Sequence, residues 1–374
     1  MYFTAQNGVH GRELWKTDGT EAGTGLVKDI RPGARSGGPG ALAQVGNTLF
    51  FVAHDGIHGR ELWKSDGTDT GTALVKDIAT NTRPAALTGV GASLFFVAND
   101  GINQRELWKS DGTDAGTVLV KDIRPGLYTS NPRSLTDVGG TVYFTAEDGV
   151  HGEELWKSDG TDVGTGLVKD ITPGSGGDSP RSLTDVGGTL YFTADDGVHG
   201  EELWTTDGSE AGTALVKNIN PDSDGYYYGG QSLVDAGGTL FFTADDGVHG
   251  EELWTTDGSD TGTVMVNDSN AGGRFHVARK GTRSTRNGTM QVRVNPDATG
   301  RVVVEPAGKS PLKRSVEDSD RGERVTVTLT PTKAGVRKLQ RSGRIRVKAR
   351  FTFTPCGGAG SSVVREYTLR MRRR

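Results

Sequence analysis

The feature that most constrains the fold is a segment of about 48 residues that recurs six times along the chain. Its most regular part reads DGVHGEELW, as at positions 148–156, and continues into a D-G-T or D-G-S turn. One tryptophan marks each copy, and the spacings are 48, 45, 48, 48 and 50 residues: Trp15, Trp63, Trp108, Trp156, Trp204 and Trp254. Because a repeat of roughly 40–50 residues is typical of propeller blades, the period favours a β-propeller.

Each copy contains four short segments with the composition of β-strands. In the fourth copy they span residues 134–138, 141–146, 154–157 and 166–171, and turns rich in Gly and Asp separate them. Four antiparallel strands that repeat radially make a propeller. We therefore predict an all-β protein in which residues 1–268 form a six-bladed β-propeller with four-stranded antiparallel blades. A β-solenoid is the alternative, although its coils are usually shorter.

The charge distribution divides the chain into two regions. Residues 1–273 contain 18 Lys and Arg against 40 Asp and Glu, whereas residues 274–374 contain 25 against 7. Apolar and polar residues alternate over residues 324–331 and 344–355, which predicts strands with one buried face, and residues 332–340 between them predict a short helix. We predict a linker at residues 269–274 and a small basic β-sandwich at residues 275–374.

The recurring polar and aromatic residues are interpreted as structural. Catalysis needs a few groups placed once, in unlike environments, whereas the Glu and Asp of the repeat occur in every copy. Glu154 is expected to pair with a backbone donor or with the Lys of the fourth strand. Asp159 is expected to start a turn by accepting backbone N–H groups, and the tryptophans are expected to pack between blades.

Three sets of residues are candidates for ligand contacts. Histidines in the loops between the second and third strands, among them His151, His199 and His249, could bind a metal or an anion, or could stabilise their hairpins. Tyr226, Tyr227 and Tyr228 interrupt the repeat in an inter-blade connection, where aromatic faces can stack on sugar rings. The Asp-rich turns could hold calcium, although their spacing differs from that of an EF-hand loop. No catalytic residue and no other metal site is predicted.

The twelve residues ELWKSDGTDVGT at 154–165, with their five relatives, resemble the bacterial ELWxxDGT repeat family. This resemblance covers residues 1–268 and implies exported or surface proteins with propeller-like repeats. It implies no reaction, because the signature carries no catalytic residue. Residues 275–374 resemble the immunoglobulin-like modules found near the C-termini of secreted actinobacterial proteins.

Two classes of function remain open at this stage. The first is a non-enzymatic extracellular or cell-surface module that binds or scaffolds, with a glycan or an anionic cell-wall polymer as partner. The second is a propeller enzyme, a hydrolase or lyase, or a glycan-binding lectin that uses the loops between blades. The sequence shows no nucleic-acid-binding motif and no apolar stretch long enough for a transmembrane helix.

The chain opens in the middle of a repeat. MYFTAQNGVHG at positions 1–11 aligns with LYFTADDGVHG at 190–200, so the first blade is expected to lack its first strand. We expect the natural product to extend upstream, with its signal peptide in that part. The segment RFHVA at 274–278 is assigned to the basic domain rather than to the missing strand, because it lacks the pattern of the other first strands.

Overall fold

The computed structural model describes residues 1–79, 82–174, 180–220, 232–246, 251–267, 275–278, 282–283, 289–296, 300–319, 325–342, 344–355 and 361–370. These residues are almost entirely β-strand and turn, with one α-helix among them. The chain divides into two compact units, Met1–Thr243 with Thr255–Val264, and Ala244–Trp254 with Met265–Arg374. The prediction of an all-β protein built from four-stranded antiparallel sheets is confirmed.

Six sheets follow the repeat, and in each of them strands that are consecutive in the chain are hydrogen-bonded neighbours. Sheet 1 contains β1 (Tyr2–Ala5), β2 (Glu13–Lys16) and β3 (Gly25–Lys28). Sheet 2 contains β4 (Gly40–Val45), β5 (Thr48–His54), β6 (Arg60–Ser65) and β7 (Ala73–Lys76). Sheet 3 contains β8 (Ala85–Val90), β9 (Ser93–Asn99), β10 (Arg105–Ser110) and β11 (Val118–Lys121). Sheet 4 contains β12 (Arg133–Val138), β13 (Thr141–Glu147), β14 (Glu153–Ser158) and β15 (Gly166–Lys169). Sheet 5 contains β16 (Arg181–Val186), β17 (Thr189–Asp195), β18 (Glu201–Thr206) and β19 (Ala214–Lys217). Sheet 6 contains β20 (Val234–Asp235), β21 (Leu240–Asp245), β22 (Glu251–Thr256) and β23 (Val264–Asn267). Sheet 1 has three strands, in the order β1-β2-β3.

The fourth strand of each repeat is shorter than the sequence predicts. In sheet 4 it ends at Lys169 rather than at residue 171. The next backbone N–H groups turn toward the buried carboxylate of the third strand, and Thr172 N donates to Glu154 Oε1 at 3.1 Å. Because a side chain takes these donors, the ladder between the third and fourth strands stops two residues early.

Adjacent apolar residues of the second strands point to opposite faces and serve two different cores. Phe51 of sheet 2 packs with Leu14 and Val27 of sheet 1, whereas Phe50 packs with Phe96 of sheet 3. The same relation joins sheet 3 to sheet 4 and sheet 4 to sheet 5. A strand that is buried on both faces needs a continuous apolar run, which explains segments such as Leu-Phe-Phe-Val-Ala.

The repeated tryptophan is largely buried in these cores. Trp15 is half-buried, and the other five are 6 or 7 % exposed: Trp63, Trp108, Trp156, Trp204 and Trp254. In sheet 2 the ring of Trp63 stacks near Phe51, with centroids 6.5 Å apart. Side chains of this size dominate the burial of apolar surface, so the tryptophan secures its own sheet against the preceding one in sheets 2 to 5.

The lysine of the fourth strand joins each sheet to the following one. Lys121 Nζ donates to Asp162 Oδ1 at 2.9 Å, and Lys217 makes the same bond to Asp260. One alternative from the sequence was that the Lys of this strand pairs with the Glu of its own repeat. The structure shows that it does not. The register explains this: Lys169 lies opposite Leu155, whose face packs on sheet 5.

The second unit contains two further sheets that enclose one core. One has β26 (Met290–Pro296) at its centre, paired with β24 (Phe275–Val277), β25 (Thr282–Arg283) and β29 (Val325–Leu329). The other has the order β28 (Ser315–Ser319), β27 (Gly300–Pro306), β30 (Arg344–Pro355) and β31 (Ser361–Arg370), and the helix α1 spans Lys333–Ser342. Val292 and Val327 of the first sheet share the core with Val302 and Phe351 of the second and with Leu339 of α1. β24 pairs with β26, as the assignment of RFHVA to the basic domain requires.

Candidate binding surface on the hairpin loops

The hairpin loop between the second and third strands has a geometry fixed by its own residues. In sheet 4, Asp148 Oδ1 accepts hydrogen bonds from Val150 N at 2.8 Å and His151 N at 2.9 Å. Gly149, between Asp148 and Val150, has a φ of 85°, which lies in a region that favours glycine. The D-G pair thus forms a self-contained turn that holds the next two residues in place.

The histidine of this loop completes the turn. His151 Nδ1 donates to Asp148 Oδ2 at 2.7 Å, and equivalent bonds join His58 to Asp55 and His199 to Asp196. In sheet 3, Asn103 stands at the histidine position and its Nδ2 donates to Asp100 Oδ2 at 2.8 Å. Because an amide can replace the imidazole in the same bond, this contact stabilises the loop.

The carboxylate and the imidazole shift each other's pKa. The hydrogen bond to Asp148 raises the pKa of His151. Partial burial of Asp148 disfavours its charged form, but the His151 backbone N–H and imidazole outweigh this and lower the pKa of the carboxyl. The pair therefore favours an imidazolium that faces a carboxylate, which is a weakly exposed ion pair rather than a free imidazole ligand.

An aliphatic side chain at the tip of each loop is exposed to solvent. These side chains, which we call the tip residues, are 67 to 82 % exposed: Val9, Ile57, Ile102, Val150 and Val198. Sequence reasoning missed them, although a Val or Ile follows the D-G or N-G pair in all six copies. Single exposed apolar residues are common on protein surfaces, but here an aliphatic residue is exposed at the same position of every described loop.

The links that lead from one sheet to the next run beside these loops. In sheet 1 the loop and the link are joined by hydrogen bonds from Gly11 N to Gly33 O at 3.2 Å and from Gly38 N to Arg12 O at 2.9 Å. Loops and links together form one edge of the sheets, which we call the rim. The rim is where propeller-like repeats can vary in sequence without disturbing the strands.

The link between sheets 3 and 4 places an exposed aromatic residue, Tyr128, on the rim. Leu127 and Tyr128 are 83 % and 63 % exposed, and the Arg124 guanidinium carbon lies 4.9 Å from the centroid of the Tyr128 ring. Arg124 also pairs with Glu147 at 2.7 Å, which holds the arginine in place. The sequence prediction of rim aromatics named Tyr226, Tyr227 and Tyr228, and these lie outside the described residues, as does His249.

The repeated glutamate lies beneath the rim and ties the link to the third strand. Glu106 is fully buried, and its carboxylate accepts from Ile123 N at 3.1 Å, from Ser130 N at 2.9 Å and from the Ser130 hydroxyl. Burial raises the pKa to about 7 for four of these residues: Glu61, Glu106, Glu154 and Glu202. A group that makes the same backbone contacts in successive repeats holds the architecture together.

The turn that follows the third strand explains the remainder of the twelve-residue signature. Asp159 Oδ1 accepts from Thr161 N at 2.8 Å and Thr161 Oγ1 at 2.7 Å, and these bonds lower the pKa of Asp159. Thr161 Oγ1 accepts from Gly164 N at 2.9 Å, and Thr165 Oγ1 donates to Thr161 O at 2.6 Å. The carboxylate thus lies where a side chain on residue 164 would be.

We expect Gly164→Ala to lower the free energy of unfolding by about 1–3 kcal/mol, because its Cβ would overlap the hydrogen-bonded Asp159 carboxylate. Gly166→Ala is the matched control, because a Cβ there would meet nothing within 4 Å. Urea denaturation of both variants measures the difference. Equal midpoints for the two would show that the turn accommodates a side chain.

The described residues include no group of three His, Cys, Asp or Glu side chains arranged to hold a metal ion. Across the same part of the chain, no helix has the length and apolar character needed to cross a membrane.

No family model and no curated protein matches this chain. Among solved structures, it is similar to prolyl oligopeptidase B from Galerina marginata, with a TM-score of 0.45, 10 % identity, and coverage of 94 % of this chain and 52 % of that one. It is also similar to a puromycin hydrolase S511A mutant, with a TM-score of 0.34, 18 % identity, and coverage of 90 % and 54 %. The extracellular domain of a putative one component system from B. thetaiotaomicron gives a TM-score of 0.36, 9 % identity, and coverage of 88 % and 43 %. The chain spans about half the length of these proteins, and at these TM-scores we transfer no activity from them.

Proposed function

We propose that this chain is a non-enzymatic repeat protein of the cell exterior that binds a repetitive glycan surface. In this proposal residues 1–268 form a six-bladed propeller of the ELWxxDGT type, and residues 275–374 form an immunoglobulin-like module. The single observation that carries it is the exposed aliphatic side chain at the tip of each described hairpin loop. An apolar group that contributes nothing to the fold of its own loop is available to a partner.

The contacts of the other repeated residues support a binding rather than a catalytic role. The aspartate of the hairpin loop is engaged by its own histidine, and the glutamate beneath the rim is engaged by backbone donors. The repeated polar groups therefore maintain the loops, while the tip residues face outward. A surface that presents the same contact several times gains strength by multivalency when its partner is also repetitive.

A glycan is favoured because of Tyr128. Its exposed ring lies on the same rim as the tip residues, and aromatic faces and aliphatic groups both pack on the C–H faces of sugar rings. Arg124 covers part of the ring and is itself held by Glu147, so the aromatic group is positioned before any ligand arrives.

The proposal predicts that the chain sediments with purified bacterial cell-wall glycan, and that replacing the five tip residues by Thr weakens retention at least about tenfold, because each site contributes to avidity. The control is Val163→Thr, since Val163 is 96 % exposed in the turn after the third strand, away from the hairpin loops. Retention that is equal for the two variants, or no retention of the unchanged protein, would contradict the proposal. Release of soluble sugar from the glycan would favour the enzyme alternative instead.

A further inference from the structure

The second unit contains a cavity with a basic lining. It has a volume of about 420 Å³, within the range of about 300–1,000 Å³ found for small-molecule sites. Its charged lining residues are Lys313, Lys333 and Arg337, and the hydroxyl-bearing residues Thr289 and Thr330 complete the polar part of the wall. Among the described residues no acidic side chain lines it, so the charged part of its wall is positive.

The three cations of this cavity have no counter-charge in the described part of the chain. Three other basic residues of the same unit do have one: Arg301 pairs with Asp318 at 2.7 Å, Arg314 with Glu305 at 3.1 Å and Lys348 with Glu366 at 3.9 Å. Lys313, Lys333 and Arg337 converge from two segments on one hollow without such a partner. Like charges that are brought together repel one another unless an anion lies between them.

The position of α1 adds to this excess of positive charge. Thr332 caps the helix, since its Oγ1 accepts from Gly335 N at 3.2 Å and its carbonyl accepts from Val336 N at 2.9 Å. The first turn has no acidic residue and begins with Lys333, although cations are unfavourable at the positive end of the helix dipole. A residue that contradicts the local preference of a helix, as Lys333 does here, is expected where a function requires that residue.

The walls of the cavity are anchored in the core. Leu339 of α1 is fully buried, and a Cβ on Gly335 would lie 2.9 Å from Pro311 O, so the helix lies close against the neighbouring segment. Pro331 and Val336 supply an apolar wall beside the cations. The cavity is thus a preformed hollow with one charged and one apolar side.

We propose that this cavity binds a phosphate-bearing ligand, as free phosphate or as the phosphodiester of an anionic polymer. A phosphate offers several acceptor oxygens, to which a guanidinium donates in bidentate fashion and an ammonium as a point charge. The apolar wall at Pro331 and Val336 fits the carbon chain that links successive phosphodiesters. The site is separate from the tip residues, and it does not depend on the function proposed for the rim.

The test uses the full chain and two probes, inorganic pyrophosphate and poly(glycerol phosphate), with titration calorimetry as the readout. The variant is Lys333→Gln with Arg337→Gln, and the matched control is Lys338→Gln with Arg341→Gln, which removes the same charge from the same helix outside the cavity. We expect affinity for the bound probe to fall more than about tenfold in the cavity variant and less than about threefold in the control. All four side chains are exposed, so both variants should keep the melting temperature of the unchanged protein.

The outcomes separate the alternatives. Binding of both probes, or of pyrophosphate alone, assigns free phosphate groups to the site, and binding of the polymer alone assigns a phosphodiester chain. Equal losses in the two variants would overturn the proposal in favour of non-specific attraction to a basic unit, and so would the absence of binding to either probe. The variant with five substituted tip residues should bind the probes unchanged, so failure of the glycan proposal would leave this one standing.

Discussion

The free energy of unfolding is expected to fall steeply as the pH is raised from about 5 to about 8. Burial raises the pKa of Glu61, Glu106, Glu154 and Glu202 from 4.5 to about 7. Between these two values the folded chain holds protons that the unfolded chain has released, so stability that is present below pH 4.5 is lost as the pH rises through 7. Each such carboxyl lowers the free energy of unfolding by about 1.4 kcal/mol per pH unit over that interval.

The histidines also lower the free energy of unfolding as the pH rises, and the aspartates do not oppose this effect between about pH 5 and pH 8. The raised pKa of His58 and of His151 means that their ion pairs are lost as the pH rises above 6.5. The pKa of Asp148 and of Asp159 is lowered, so their contribution is lost only below about 3.8. Stability should therefore be greatest in mildly acidic solution.

Urea denaturation at several pH values, followed by tryptophan fluorescence, measures this slope. Glu106→Gln should reduce it, because one titrating carboxyl is removed, while Glu147→Gln, whose side chain is 41 % exposed, should leave it close to that of the unchanged protein. A free energy of unfolding that stays constant or rises from pH 5 to pH 8 would show that these carboxyls are ionised in the folded state.

Trp156→Ala is expected to lower the free energy of unfolding by about 3–5 kcal/mol, because truncation removes a large buried side chain and leaves a cavity. Trp156 is 6 % exposed and lies in the core that sheets 3 and 4 share. The comparison is Val163→Ala, which removes an apolar side chain that is 96 % exposed and should change the same quantity by less than about 0.5 kcal/mol. A loss below about 1 kcal/mol for Trp156→Ala would mean that the core closes around the gap.

Most of the architecture could be predicted because the information is local and periodic. The segment at 141–146 is predicted as a strand, and the structure has Thr141–Glu147. The D-G turns follow from the chemistry of adjacent residues, so a two-residue sequence pattern fixes their bonds. The end of the fourth strand could not be predicted, because it depends on the Glu154 carboxylate, which reaches an N–H 18 residues further along the chain.

The candidate sites were less accessible to sequence reasoning. Val150 and Ile57 are apolar residues in polar loops, and only the folded structure shows that their side chains are exposed to solvent. The basic cavity combines Lys313 with Lys333 and Arg337, which lie 20 and 24 residues further along the chain and come together with it through the pairing of Leu312 with Pro331. A sequence pattern shows the period of a helix or strand, but it does not show which distant segments come into contact.

The side-chain hydrogen bonds of Asp159 and Thr161 in the D-G-T turn are made within one repeat, and each of sheets 1 to 4 meets the next sheet through the same pair of faces. A recombination event that adds or removes one whole repeat therefore creates a junction of a kind that already exists in the protein. Neither a new core nor a new turn has to arise for the array to change in length. The number of rim loops, and with it the number of exposed tip residues, can be altered by gene duplication alone, without any point substitution.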